Sequence, residues 1–157
     1  MIHTVGVGDL AIGLAGDVLV THALGSCLGL VAHDPIAKIG GLLHAMLPVS
    51  RLNEKRAAEN PHMFVDSGFM SLLDGLFALG AQKQRLILKA AGCGSPLGEN
   101  MVFDVGRRNY EILIKIIEKN SLGLTAESVG GSVSRTVHFE VSSGRLALRI
   151  GGREELL

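Results

Sequence analysis

The sequence predicts an α+β domain of layered, largely antiparallel β-sheets with two main helices packed on one side, and three observations carry that prediction. Short apolar runs broken by glycine turns recur from Ile2 to Ala45 and again from Leu124 to Ile150, the signature of brief strands joined by tight connections. Two segments, 69–77 and 110–117, space their apolar residues at clear helical intervals. Strands outnumber helices, and two helices spliced into runs of strands favour segregated layers. At 157 residues the chain is expected to be a single domain, 1–157, long enough to bury a real core.

Taken in order, Ile2 to Val20 alternates apolar runs with Gly6, Gly8, Gly13 and Gly16 and is expected to form short strands. Asp17 to Thr21 reads as one strand, after which His22 to Ser26 bends and delivers Cys27 into a hairpin. The hairpin runs LGLVA and IGGLL flank Asp34-Pro35-Ile36-Ala37, where proline suits an early turn position and Asp34 can bond the backbone ahead of it. The polar stretch after Pro48, SRLNEKRAAENPH, reads as a surface loop with a short helix over Asn53 to Glu59. Phe69, Leu72, Leu73, Leu76 and Phe77 follow i, i+3, i+4, i+7, i+8, with Asp66 or Ser67 capping the start and Gly80 the end. Gln84 to Ala91 reads as a central strand running into the turn Gly92-Cys93-Gly94-Ser95-Pro96. A second long helix starts near Gly106, turns Tyr110, Leu113, Ile114 and Ile117 inward, and ends over Asn120 to Gly123. Leu124, Ala126 and Ser128 then alternate, and Thr136 to Val141 pairs through Ser142-Ser143-Gly144 with Arg145 to Ile150.

Charge and composition exclude several classes. Fifteen acidic against fifteen basic side chains leave no global field to attract nucleic acid or an anionic membrane. Glycine is abundant, at 21 residues, but 47% of the chain is hydrophobic, so the glycines mark turns and close approaches within a globule. The start of the sequence lacks a basic segment before an apolar stretch, and the uncharged run from Val18 to His33 is interrupted by Thr21, His22 and Ser26. No membrane insertion and a cytoplasmic location are expected. Cys27 and Cys93 stand without CxxC or zinc-finger spacing, so free thiols are expected, with no metal and no cofactor.

The chemistry concentrates in THALGSCLGLVAHDPIAKIGGLLHAMLP, residues 21–48. If Asp34 to Ala37 is a four-residue loop closed by His33 and Lys38, Cys27 stands opposite His44. Such cross-strand partners have Cβ atoms roughly 4.5–5.5 Å apart. A thiol and an imidazole at that range are the minimal parts of a cysteine nucleophile, since the imidazole takes the thiol proton. Thr21 enters the same neighbourhood, where a hydroxyl beside the imidazole would fix its tautomer.

Each of these residues has a plainer reading. Cysteine is among the most buried residue types, so Cys27 is equally a small hydrophobe in a strand. His44 lies among apolar neighbours in LLHAML, as a satisfied core histidine would. Threonine suits any strand. Ser26 loses to the adjacent thiol as a nucleophile at neutral pH and is assigned to the loop. His22, His33, His44 and Cys27 match no metal spacing, and GCGSPLG lacks the Gly-Lys-Ser/Thr ending of a phosphate loop. Cys93 reads as a small side chain in a tight bend, and Gly106-Arg107-Arg108-Asn109 as a solvated helix start able to meet an anion.

Taken together, LGSC with Cys27, the Asp34 turn, IGGLLHAMLP with His44, the helix after Val65, GRRNY, and VGGSVSRTVHF before SSGRL resemble the CheD family of chemoreceptor glutamine deamidases. The chain departs from the family's usual pattern at LKAAGCG, where a bulkier run is typical. The resemblance implies Cys27 as nucleophile, His44 as general base and then acid, and Thr21 as the group orienting His44. It implies conversion of glutamine to glutamate on the cytoplasmic helical bundle of a chemoreceptor, in a shallow groove, with glutamate methyl esters as a second substrate. It also implies a second partner, a CheC-type phosphatase, and hence an alternative role as a non-catalytic adaptor that stimulates it.

Overall fold

The computed structural model of the chain describes residues 1–98 and 104–157. Among these described residues, ten strands and three α-helices follow the order β1 (Ile2–Thr4), β2 (Asp9–Leu14), β3 (Val18–Leu24), β4 (Leu28–Asp34), β5 (Ile39–Ala45), α1 (Glu54–Glu59), α2 (Val65–Ala78), β6 (Ile87–Gly92), α3 (Val105–Lys119), β7 (Leu124–Val129), β8 (Arg135–Glu140), β9 (Leu146–Ile150) and β10 (Arg153–Leu156). The strands form two five-stranded sheets, ordered β1-β3-β8-β9-β10 and β2-β5-β4-β6-β7. Among the described strands, β1–β3 and β6–β7 pair in parallel and the other pairs are antiparallel. The expected α+β architecture is the one observed, with both long helices on one face of the second sheet.

The layers follow from the two-residue period of the strands. Leu30 of β4 and Leu43 of β5 face Phe69, Leu72 and Leu76 of α2 and Leu113 of α3. Val31 and Leu42, one position along, face Leu19, Phe139 and Leu148 of the first sheet. Every residue of β4 and β5 is therefore buried, which is why LGLVAHD and IGGLLHA read as continuous runs and not as alternating strands.

Several local expectations need correction. The hairpin loop is Pro35 to Lys38, one residue later than expected, closed by Asp34 and Ile39. Asp34 is wholly buried, accepts from the Ile36 and Ala37 N–H groups at 3.0 Å, and pairs with Arg85 at 2.9 Å, so it is locked at the strand end while Lys38 takes the left-handed conformation. Helix α2 starts at Val65 without a side-chain cap, because Asp66 instead accepts from the Ser50 N–H and hydroxyl. Phe77 remains 37% exposed: eight residues at 3.6 per turn place it about 80° round from Phe69. The hairpin from β9 to β10 was not expected, although Gly151-Gly152 is a two-residue loop of the kind that makes one.

Candidate functional site

His44, near the end of β5, faces the first sheet, where Thr21 of β3 meets it. Thr21 is 0% and His44 2% exposed. The Thr21 hydroxyl donates to the Val5 carbonyl at 2.6 Å and lies 2.7 Å from His44 Nδ1. A hydroxyl has one proton, and the Val5 carbonyl can only accept, so donor accounting assigns the Thr21–His44 bond to an Nδ1–H donor. Neutral His44 thus carries its proton on Nδ1 and leaves Nε2 bare, and Nε2 is buried with no hydrogen-bond partner among the described residues. Burial holds the imidazole below its ordinary pKa, partly opposed by the Val5 carbonyl, so the ring is neutral when the protein rests near pH 7.

The structure brings Thr21 and His44 into contact and sets Cys27 on their side of the sheet, but not where the one-residue-earlier loop would have put it. Gly29, not Cys27, stands opposite His44. The register shift is two residues in the pair sum, which preserves the face. Cys27 precedes β4, is diagonal to His44, and packs with the inter-sheet cluster. Diagonal neighbours sit roughly 7–8 Å apart at the backbone, and no hydrogen bond joins the Cys27 thiol to Nε2 among the described residues. Half-burial pushes the Cys27 thiol above its ordinary pKa. The resting pair is therefore thiol and neutral imidazole, with the thiol proton not yet passed to the ring.

The backbone around Cys27 is held by its carbonyls. The Gly94 N–H donates to the Gly25 carbonyl at 2.8 Å and the Cys93 N–H to the Cys27 carbonyl at 2.8 Å. Between them the Asn109 side chain donates to the Ser26 carbonyl at 3.0 Å. The N–H groups of Ser26 and Cys27 meet no acceptor among the described residues. The close seat of the Gly92–Gly94 turn demands glycine at 92, whose φ is +97° and where a Cβ would strike the Cys27 carbonyl. Buried Arg135 donates to the Gly92 carbonyl of that turn at 3.4 Å, and to the Gly130 carbonyl and the Ser128 hydroxyl beside it at 3.0 Å each. Cys93 is buried there, and desolvation, reinforced by the nearby Cys27 thiol, pushes its pKa up to about 12.

A cavity of about 320 Å³ opens beside Ser26, between Gly94–Gly98 and the start of α3, lined by Pro96, Leu97, Asp104 and Gly106 among others. The remaining histidines lie elsewhere: His33 is at the far end of β4, bonded through Nε2 to the Val141 carbonyl at 2.8 Å, and His22 stands edge-on to His138. Among the described residues no three histidine, cysteine or acidic side chains cluster as a metal site would require. No helix among them is long and apolar enough to cross a membrane. Sequence reasoning missed Val5 and Asn109. The second was signalled by its position: a carboxamide three residues after Gly106 and four before Leu113 lies on the inward stripe of α3.

Comparisons with known proteins place the chain in a family. A family described as "CheD chemotactic sensory transduction" matches residues 46–150, a span that begins after Thr21, Cys27 and His44. Curated relatives extend the likeness nearly end to end. A probable chemoreceptor glutamine deamidase CheD of Solibacter usitatus is 48% identical over 154 residues, 98% of this chain and 91% of its own. A probable chemoreceptor glutamine deamidase CheD 2 of Anaeromyxobacter dehalogenans is 46% identical over 94% of each chain. One from Pyrococcus abyssi is 38% identical over 95% of this chain and 93% of its own. Likeness at this level over this length is not a matter of shared fold alone: the chain belongs to the CheD family.

Proposed function

We propose that the protein is a chemoreceptor glutamine deamidase whose single hydrolase domain, 1–157, works through Cys27, His44 and Thr21. The observation that supports this most is the Val5–Thr21–His44 relay, which leaves a bare Nε2 in a neutral imidazole on the face that Cys27 shares. An unpartnered buried ring nitrogen costs stability in a protein that merely packs a histidine, and is what a general base needs.

In the proposed reaction His44 Nε2 takes the Cys27 proton as substrate closes the diagonal gap, and Sγ attacks the glutamine side-chain carbonyl carbon. The oxyanion is met by backbone N–H groups at Ser26 and Cys27, which are otherwise unengaged among the described residues. The tetrahedral intermediate expels ammonia, with His44 returning the proton to the departing nitrogen. His44 then deprotonates water, which attacks the Cys27 thioester and releases glutamate and the free thiol. A glutamate methyl ester enters the same route with methanol as leaving group. The cytoplasmic helical bundle of a chemoreceptor is the proposed substrate, which puts the reaction in the cytoplasm, and a CheC-type phosphatase is the proposed second partner.

Mass spectrometry of a purified receptor cytoplasmic fragment tests this. Wild type should convert specific glutamines to glutamate with the chain uncut, and Cys27→Ala should convert none. Conversion by the alanine variant would refute the thiol mechanism. Phosphatase stimulation that survives in Cys27→Ala would show the two activities to be separable.

A further inference from the structure

We propose that Asn109 is a positioning residue for the nucleophile: its carboxamide sets the plane of the Ser26–Cys27 peptide so that the Cys27 N–H faces the oxygen of the reacting amide. The inference rests on the deamidase reading and deepens it.

Asn109 is 0% exposed and sits inside α3 on the stripe Gly106, Asn109, Leu113 and Ile117, where an apolar residue would be the ordinary occupant. Gly106 makes its reach possible, since a Cβ there would strike the Gly94 carbonyl and Cys93, so only glycine lets α3 lie directly on that strand end. One turn later, Asn109 Nδ2 donates to the Ser26 carbonyl at 3.0 Å and to the Met46 carbonyl at 3.1 Å. Both partners are acceptors, so the amide orientation is forced and Oδ1 is left buried, with no partner among the described residues. The side chain thus forgoes its own acceptor bond to hold two carbonyls at once.

Those two carbonyls belong to the two halves of the site. Ser26 precedes the nucleophile, and Met46 follows the base by two residues, so Asn109 ties the backbone that carries Cys27 to the backbone that carries His44. No peptide bond here is cis, and in a trans peptide the N–H points opposite to the C=O. With the Ser26 carbonyl drawn toward α3, the Cys27 N–H of the same peptide points away from α3. That is the side on which Cys27 packs with the inter-sheet cluster and His44 presents its ring. The carbonyls on either side are held by backbone N–H groups of Cys93 and Gly94. Only the middle one depends on a side chain.

The test compares Asn109→Ala, which deletes the donors, with Asn109→Asp, which sets a carboxyl oxygen against the two carbonyls. Three readouts are taken together: deamidation kinetics on a receptor cytoplasmic fragment, alkylation of Cys27 by iodoacetamide, and thermal melting. The expected result is a kcat lower by about 10²-fold, as for loss of an oxyanion donor, with KM and the alkylation rate within about threefold of wild type. Alkylation builds no oxyanion and so does not need the oriented N–H. A fall in alkylation parallel to the fall in kcat, or wild-type kcat in a cooperatively melting variant, would overturn the proposal.

A measurement on wild type covers the case in which neither variant folds. A peptide carrying an aldehyde in place of the glutamine amide adds the Cys27 thiol reversibly, forming the S–C bond and passing the thiol proton to the hemithioacetal oxygen. The Cys27 amide proton should then move downfield in the NMR spectrum; an unmoved Cys27 resonance in the adduct overturns the proposal. Failure of the deamidase reading itself looks different, because wild type would then leave the receptor fragment unchanged in mass.

Discussion

Replacing Thr21 by valine removes one oxygen and almost no volume, and therefore isolates the orienting role proposed for it. Thr21, Val5 and the His44 ring are all buried, so water cannot replace the lost hydroxyl. In the resting state the 2.7 Å bond to Nδ1 joins neutral groups, and its loss together with the 2.6 Å bond to Val5 should destabilise the fold by about 1–3 kcal/mol. In the transition state the ring has taken the thiol proton and is cationic, so the same bond becomes charge-assisted and is worth about 1.5–3 kcal/mol. Only the gain over the neutral bond, about 1–1.5 kcal/mol, bears on the barrier, so at about 1.4 kcal/mol per tenfold Thr21→Val should lower kcat by about 5- to 12-fold. Thr21→Ser keeps the hydroxyl and should recover most of that loss, although it gives up a buried methyl. Steady-state deamidation of a receptor fragment, run beside a thermal melt of each variant, makes the comparison. A folded valine variant with wild-type kcat, or a serine variant as slow as valine, would refute the argument that Thr21 sets the tautomer and orientation of His44.

Three further outcomes follow from the same geometry. Because burial moves the His44 and Cys27 pKa values apart, down and up, kcat/KM should be bell-shaped with a broad plateau: the acid limb falls below about pH 6.5 as the base is protonated, and the alkaline limb lies above about pH 9. A half-maximal acid point above 6.5 would contradict it. Iodoacetamide at pH 8 should label Cys27 and spare Cys93, whose thiol, held near 12 by burial, is almost never ionised; tryptic mapping showing equal labelling would count against it. Asp34→Asn should cost about 2–4 kcal/mol, below the usual figure for breaking a buried pair because Arg85 is 27% exposed, and should lower Tm by roughly 5–15 °C. Burial alone would raise the Asp34 pKa, but the Arg85 guanidinium and three backbone N–H groups overcome it and hold the carboxyl well below the usual carboxylate range. The stability this group supplies is thus complete above about pH 5 and lost as pH falls below about 4, so the gap between wild type and Asp34→Asn measured by denaturant unfolding should narrow in acid; a gap independent of pH would show that the carboxylate charge is not its source.

Local signals determined much of this protein. The i, i+3, i+4, i+7 spacing of α2, the glycine turns, the paired apolar runs and the β8–β9 hairpin through Ser142-Ser143-Gly144 depend on propensities that act within a few residues, and these elements stand where they were expected. The face shared by Cys27 and His44 was also legible, because strand parity survives a two-residue change in register. The register itself was not. It is decided by Asp34 reaching Arg85, 51 residues away, which locks the strand end and moves the loop by one.

The site divides in the same way. Cys27 and His44 stand out in the sequence because few residue types carry a thiol or an imidazole, and the surrounding motifs resemble one family. Val5 and Asn109 bear no such chemical mark: one contributes a backbone carbonyl and the other an amide, and each matters only through what the fold sets beside it. The sequence by itself determined most of the strands, the helices and the reactive groups, since these follow from side-chain chemistry and short-range periodicity. Which nitrogen of His44 is bare, how far the thiol stands from it, and which peptide N–H groups are left unengaged were settled only when two sheets and a helix packed together, because hydrogen-bond partners distant in the chain acquire a direction only in three dimensions.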